Sequence, residues 1–372
     1  MRVTNRHEET RKVNKASGGN STSGLVTLRA SEITPKKVDW LREGVILSRR
    51  VTGIVGHPGE GKSLLTTDLA AAVSRGAPWP TDSAEGKDGW VIMLSAEDDP
   101  ADTIVPRLKA ADAALGRIRI ITAVRDGGAT RYLTLATDLK RLGKKIKAMS
   151  EKGRRVRLLT IDPFSAYLGN GDHRIDRNNA AHVRGLLDQL GAFAAEHRLA
   201  IVFVLHRPKK SNGRALTQMA GSYEFVAGPR MNLLAAGEPN SDSHLLVPCK
   251  QNLSPGGIGY RYRIKVKEIG KGIHSPFIDW EEKPVAISAD EALSAESGKG
   301  AKRPTKPTAH DWLQGLLANR PMRRKNVMKL GAQAGFSEKQ LRGAREALGI
   351  TTTKSRVGSQ TVWTLPGGGK RG

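Results

Sequence analysis

Residues 53–73, GIVGHPGEGKSLLTTDLAAAV, constrain the fold more tightly than any other stretch of this chain. They fit the pattern G-x-x-x-x-G-K-[ST], with Gly56, Gly61, Lys62 and Ser63 in the fixed places. The pattern has a mechanical meaning. Successive backbone N–H groups must curl around phosphate oxygens, and glycine allows that curl because it has no Cβ to clash. The lysine carries a point charge to the outer phosphates, and the hydroxyl ligates Mg2+. RVTGIV before the loop reads as a short buried strand. SLLTTDLAAAV after it reads as an alanine-rich helix whose N-terminus faces the phosphates. The expected cradle is therefore Gly56, His57, Pro58, Gly59, Glu60, Gly61, Lys62, Ser63 and Leu64, with ATP and Mg2+ as its ligands. A strand–turn–helix without a ligand is the bland alternative.

From about residue 31 to 285, apolar strand-like runs alternate with helical patterns. The runs are RVTGIV, WVIMLSA, RIRIITA, VRLLTID, LAIVFVL, RMNLLAA and HLLVPCK, and helices are expected over 63–74, 102–115, 133–149 and 178–196. This rhythm predicts an α/β fold, a largely parallel sheet covered by helices with antiparallel strands added late. Residues 1–30 read as a flexible basic tail and 286–308, small and polar with two prolines, as a linker. Residues 309–366 predict a second domain of three helices and a hairpin, which suggests a winged helix-turn-helix, and 367–372 a short tail. In its third helix Ser337 and Gln340 have capping-box spacing.

Charge narrows the partners. The chain carries a formal net charge of +25, which points to a polyanion. From residue 299 onward there are 16 Lys and Arg against 3 Asp and Glu, so just over half of that excess sits in the last fifth of the chain. No apolar run approaches the length of a transmembrane helix, which argues against a membrane partner. The polar N-terminal stretch has no secretory pattern, so a cytoplasmic location is expected. The single cysteine, Cys249, excludes an internal disulfide and a cysteine-rich zinc site.

Hydrolysis of a triphosphate needs more than a phosphate loop. A carboxylate at the end of a buried strand must help to hold Mg2+, and RVRLLTID ends in Asp162 with Pro163 as a stop. A second carboxylate must orient or deprotonate the attacking water. Glu97 closes WVIMLSAE, with Asp98 and Asp99 as competitors and helix capping as the bland alternative. His206, at the tip of LAIVFVLH, could contact the γ-phosphate, although a lone strand-end histidine is more often structural.

With these residues in this order and spacing, GHPGEGKS, LSAEDDPADTIVPRL, LLTIDPFSAYLG and VFVLHRPKK, the chain resembles RecA-type ATPases over about residues 31–283. The nearest likeness is to RepA-like plasmid and phage replicative helicases, kin of the hexameric DnaB-type helicases. The resemblance implies a RecA-like P-loop NTPase core. It implies Lys62 and Ser63 on phosphate and Mg2+, Asp162 on Mg2+, Glu97 as catalytic carboxylate and His206 as γ-phosphate sensor. It also implies an arginine finger from a neighbouring subunit, hence a homo-oligomer, a hexamer by analogy. Arg230 matches that position, with Arg207, Arg214 and Lys250 nearby.

In such folds the loops after the Asp162 and His206 strands face the ring centre. Here they carry Arg174 and Arg177, then Lys209, Lys210 and Arg214, and such a lining would track single-stranded DNA without reading bases. Phe164 and Tyr167 are the aromatic residues near the first loop. In the terminal domain Lys339, Arg342 and Arg345 recur at spacing three, as on a recognition helix, with Arg323, Arg324 and Lys325 beside them. Solvated loops and a solvated helix face are the bland readings. Two functions remain open at this point. One is an ATP-driven DNA helicase or translocase of a plasmid, phage or integrated element, with any primase or initiator a separate protein. The other is an ATP-switched DNA-binding replication initiator or regulator that does not unwind. A small-molecule kinase would leave the charge and the terminal domain unexplained.

Overall fold

The structure, a computed structural model, describes residues 27–79, 86–169, 175–207, 224–251, 258–296, 309–317, 321–333, 336–354 and 361–366. It divides into two compact units, Met1–Gly298 and Lys299–Gly372.

In chain order the first unit contains β1 (Trp40–Arg42), β2 (Ile46–Leu47), β3 (Val51–Gly56), α1 (Lys62–Arg75), β4 (Trp90–Ser95), α2 (Val105–Ala110), β5 (Ile118–Ile121), β6 (Val124–Asp126), β7 (Ala129–Arg131) and α3 (Leu135–Glu151). It continues with β8 (Val156–Asp162), α4 (Ala180–His197), β9 (Ala200–His206), α5 (Glu224–Ala227), β10 (Met231–Gly237), β11 (Ser243–Gln251), β12 (Ile258–Glu268), β13 (His274–Trp280), β14 (Val285–Ala286) and α6 (Ala289–Glu296). The main sheet has the order β13-β12-β11-β10-β3-β9-β8-β4-β5. Its six strands from β10 to β5 are parallel, and β11, β12 and β13 extend it antiparallel. The α/β fold with a mainly parallel sheet is the one expected from the alternating runs.

Those runs are unbroken because parallel strands are covered on both faces. All six residues of β3 are buried. On one side of the sheet, Leu135, Leu142, Ile146 and Met149 of α3 pack with Leu186, Leu187 and Leu190 of α4. On the other, Leu65, Leu69 and Val73 of α1 join Ile104, Leu108 and the antiparallel strands. Asn179 caps α4 by accepting from the Ala181 and His182 amides, and Gly76, at φ 73°, closes α1.

The sequence expectation for residues 286–308 needs correction. Their first half forms α6, where Ala289, Ala292 and Leu293 bury a small apolar face in the core. Ser288 and Glu291 cap its start, the Ser288 amide donating to the Glu291 carboxylate at 2.8 Å. The helix expected over 102–115 is also divided, into a π-helical turn at Pro100–Ile104 followed by the short α2.

The second unit holds α7 (Ala309–Leu317), β15 (Met322–Arg323), α8 (Arg324–Gln333), α9 (Glu338–Ala347), β16 (Thr351–Lys354) and β17 (Thr361–Thr364). The strands form one antiparallel sheet in the order β15-β17-β16. Leu313, Leu317, Val327, Ala344, Ile350 and Trp363 make its core. The capping box is present on α9: the Gln340 amide donates to Ser337 Oγ, and the Ser337 amide donates to Gln340 Oε1 at 2.8 Å. No helix among the described residues is long and apolar enough to cross a membrane.

Candidate nucleotide site

The loop between β3 and α1 is shaped by two glycines in the left-handed region, Gly59 at φ 93° and Gly61 at φ 68°. At Gly61 a side chain would be doubly disfavoured. The backbone is strained for any L residue, and a Cβ would lie 2.9 Å from Ile264 Cδ1. Lys62 opens the helix and is buried, only 4% exposed. Its ammonium donates to the His57 carbonyl at 2.6 Å. Burial pulls its pKa below the ordinary lysine value, against the opposing pull of Asp162, Glu60 and Glu97. A recessed ammonium of this kind, with one hydrogen bond from its three donors among the described residues, is suited to receive phosphate oxygens.

The parallel strands bring the other groups to the same place. Register sets Ser95 beside Asp162, and Gly56 beside His206. The Asp162 side chain hydrogen-bonds to Ser63, with Thr66 Oγ1 3.5 Å from Oδ2. Burial raises its pKa to about 6; Asp98 and Glu97 add to the rise, while Ser63 and Lys62 oppose it. His206 is held below its ordinary pKa by burial and then by Lys62, with Glu97 opposing, so its ring is neutral at pH 7.

The three acidic residues after β4 separate by role. Asp99 accepts from the Ala101 and Asp102 amides and caps the turn that follows. Asp98 pairs with Arg107 at 2.6 Å. Glu97 is exposed and has neither hydrogen bond nor ion pair among the described residues, while its charge acts on Lys62, Asp162 and His206.

Residues that the sequence reading did not single out brace the loop. Tyr262 of β12, fully buried, donates its hydroxyl to the Glu60 carbonyl at 2.6 Å. Its ring stacks on His244 of β11, whose Nε2 lies 3.6 Å from Glu60 Oε2. Arg207, which follows β9 and which the sequence reading placed only near Arg230, also contacts the loop: its amide donates to the Gly56 carbonyl at 3.0 Å and its Nε to His57 Nε2 at 3.0 Å. Behind the loop, Asp68 of α1 accepts from two indoles, Trp79 at 2.7 Å and Trp280 of β13 at 2.8 Å.

The expected DNA contacts fare unevenly. Arg174, Lys209, Lys210 and Arg214 lie outside the described residues, as does the side chain of Lys250; Arg177 is described and exposed. Phe164 and Tyr167 are not available for stacking on bases. They are 0% and 4% exposed, and Phe164 packs 4.7 Å from Phe203 in the core. Arg230 is exposed and stands just before β10, where Met231 pairs with Thr52. That places it at the edge of the sheet opposite the phosphate loop, about 17 Å along the strand direction from Gly56. In the second unit, Arg342 pairs with Glu338 at 2.9 Å, Arg324 with Glu338 at 3.1 Å, and Arg345 lies over the Trp363 ring. The backbone of Lys339 lies in α9 and its side chain is outside the described residues.

The donors fit Mg2+ and a nucleotide triphosphate. A hydroxyl and a carboxylate oxygen meet at the start of α1, and hard oxygen ligands are what Mg2+ takes. The space where a Cβ would stand on Gly59 is open, so phosphate can approach the backbone there. A family model described as an AAA domain matches residues 20–212, a span that includes the phosphate loop, Glu97, Asp162 and His206. Curated proteins include no match to the chain.

Proposed function

This chain belongs to the AAA-domain family and is by class a P-loop ATPase; from that premise we propose that it is an oligomeric, ATP-driven DNA helicase or translocase serving a plasmid, phage or integrated element. The observation that supports this most is the meeting of Lys62, Glu97, Asp162 and His206 on one phosphate loop, in a chain whose excess positive charge lies mostly in a separate terminal unit.

Each residue has a part in the reaction. The loop amides and Lys62 hold the β- and γ-phosphates. Ser63 and Asp162 hold Mg2+, which neutralises phosphate charge when bound. Glu97 accepts the proton of the attacking water as its oxygen bonds to the γ-phosphorus and the bond to the bridging oxygen breaks. The neutral His206 donates to a γ-phosphate oxygen. Its loss of that contact after hydrolysis passes into residues 208–223, which carry Lys209, Lys210 and Arg214. Arg230, too far from its own phosphate loop, serves a neighbouring copy as the finger. Arg174 and Arg177 line the DNA path from the other loop, and Lys339, Arg342 and Arg345 of a winged helix-turn-helix contact duplex. Any primase or initiator partner is a separate protein.

The test is ATP hydrolysis with and without single-stranded DNA, together with strand displacement on a forked duplex. Stimulation by single strands with displacement is the expected result. Duplex binding with hydrolysis indifferent to DNA would replace this reading with the ATP-switched initiator or regulator.

A further inference from the structure

The parallel strands β3, β9, β8, β4 and β5 all begin on the edge of the sheet opposite the phosphate loop. Their starts gather cations. Trp90 opens β4 and is half-buried, and two guanidiniums stand over it. Arg119 Cζ, from β5, is 4.8 Å from the ring centroid, and Arg154 Cζ, from the turn entering β8, is 5.0 Å away. Arg155 is next in the chain and exposed. Its charge, second to burial, holds the Arg157 guanidinium below its ordinary value. Some cations on this edge are matched by acids: Arg49 and Lys87 pair with Asp39, and Arg117 pairs with Asp88. Arg119, Lys152, Arg154 and Arg155 form no ion pair with any described carboxylate. The C-terminal end of α3 offers the Glu151 carboxylate and about half a negative charge from its dipole, still too little to balance these four.

We propose that this edge, centred on Trp90 with Arg119, Arg154 and Arg155, is a further nucleic-acid surface that binds the phosphodiester backbone. Arginine dominates it, and the guanidinium fork matches phosphate geometry. Trp90 is engaged by guanidiniums rather than left open for base stacking, so the contact is indifferent to sequence. Arg119 and Arg154 lie on either side of β4, roughly 10 Å apart by strand spacing. Its centre at Trp90 is four strands from Arg230, about 19 Å along the same edge. It rests on the reading that the chain works on DNA, but it uses neither the two basic loops nor the terminal unit.

The test measures binding of the full-length protein, without nucleotide, to a fluorescent oligo-dT and to a duplex of the same length across a salt series. For the single strand, R119Q/R154Q/R155Q should lower the slope of log affinity against log salt by about 2, since each phosphate contact contributes about 0.7. DNA-free ATP hydrolysis should be unchanged. A fall in the duplex slope instead would identify duplex as the bound form. If the triple variant does not fold, Arg155→Gln alone, at an exposed position, should lower the slope by about 0.7. Unchanged slopes for both nucleic acids would overturn the proposal. Loss of binding confined to anionic vesicles or polyglutamate would do the same. Strand displacement with unchanged slopes sinks only this surface; changed slopes without displacement sink only the helicase reading.

Discussion

Asp162, as the proposed Mg2+ ligand, sets function against stability. Its carboxyl is displaced from the ordinary 3.8 to about 6, chiefly by burial. The sign follows from that direction. Folding favours the protonated form, so the folded chain bears no penalty below about pH 4 and the full cost of the ionised group above about pH 6. That cost is about 3 kcal/mol. Asp162→Asn is therefore expected to melt at a higher temperature than the parent chain at pH 7.5 and at the same temperature near pH 4. It should also lose Mg2+-dependent hydrolysis throughout. Thermal melts across pH, with and without Mg2+ and ATP, check both. The position of Asp162 at the end of β8 was legible because the pattern is local: a buried run ending in a carboxylate and a proline. The partners of Asp98 and Asp99, which compete with Glu97 for the proposed role, were not legible. They depend on Arg107, which pairs with Asp98, and on the turn at Pro100–Ile104, which Asp99 caps.

At the scale of elements, β12 matters more than its place in the chain suggests. Tyr262 reaches Glu60 across 202 residues of sequence. Nothing local to GYRYRIKVKE announces that its second tyrosine will meet a phosphate loop. Tyr262→Phe keeps the ring and removes the hydroxyl, leaving the Glu60 carbonyl without that donor in an enclosed place. The expected loss is about 1–2 kcal/mol of stability. ATP affinity should fall several-fold with little change in kcat, since Glu97, Asp162 and His206 come from other strands. Denaturant unfolding and nucleotide titration measure the two effects. α6 was missed for a related reason. Its small residues read as linker, and only Ala289, Ala292 and Leu293 finding the core makes them a helix. Phe164 and Tyr167 erred the other way, counted with a surface loop although the sheet encloses them.

For the whole molecule, the separation of Arg230 from the phosphate loop matters most. If Arg230 completes the site of a neighbour, Arg230→Ala should abolish hydrolysis while leaving ATP binding intact. Mixing it with Lys62→Ala chains, whose own loops are disabled, should restore part of the activity: intact fingers then meet intact loops. Failure of Arg230→Ala to bind ATP would remove it from the finger role, and absence of rescue would count against a shared site. The parallel order of the strands was readable from the alternating runs, but which edge each charge occupies becomes visible only once β10 is paired with β3. The carboxylate of Asp68, held by the indoles of Trp79 and Trp280, ties the helix behind the loop to a strand at the far rim of the sheet. Two of the six tryptophans thus share one buried carboxyl, so a displacement of that helix relative to the rim strand is expected to change the intrinsic fluorescence, which makes nucleotide-dependent emission a direct optical readout of the joint.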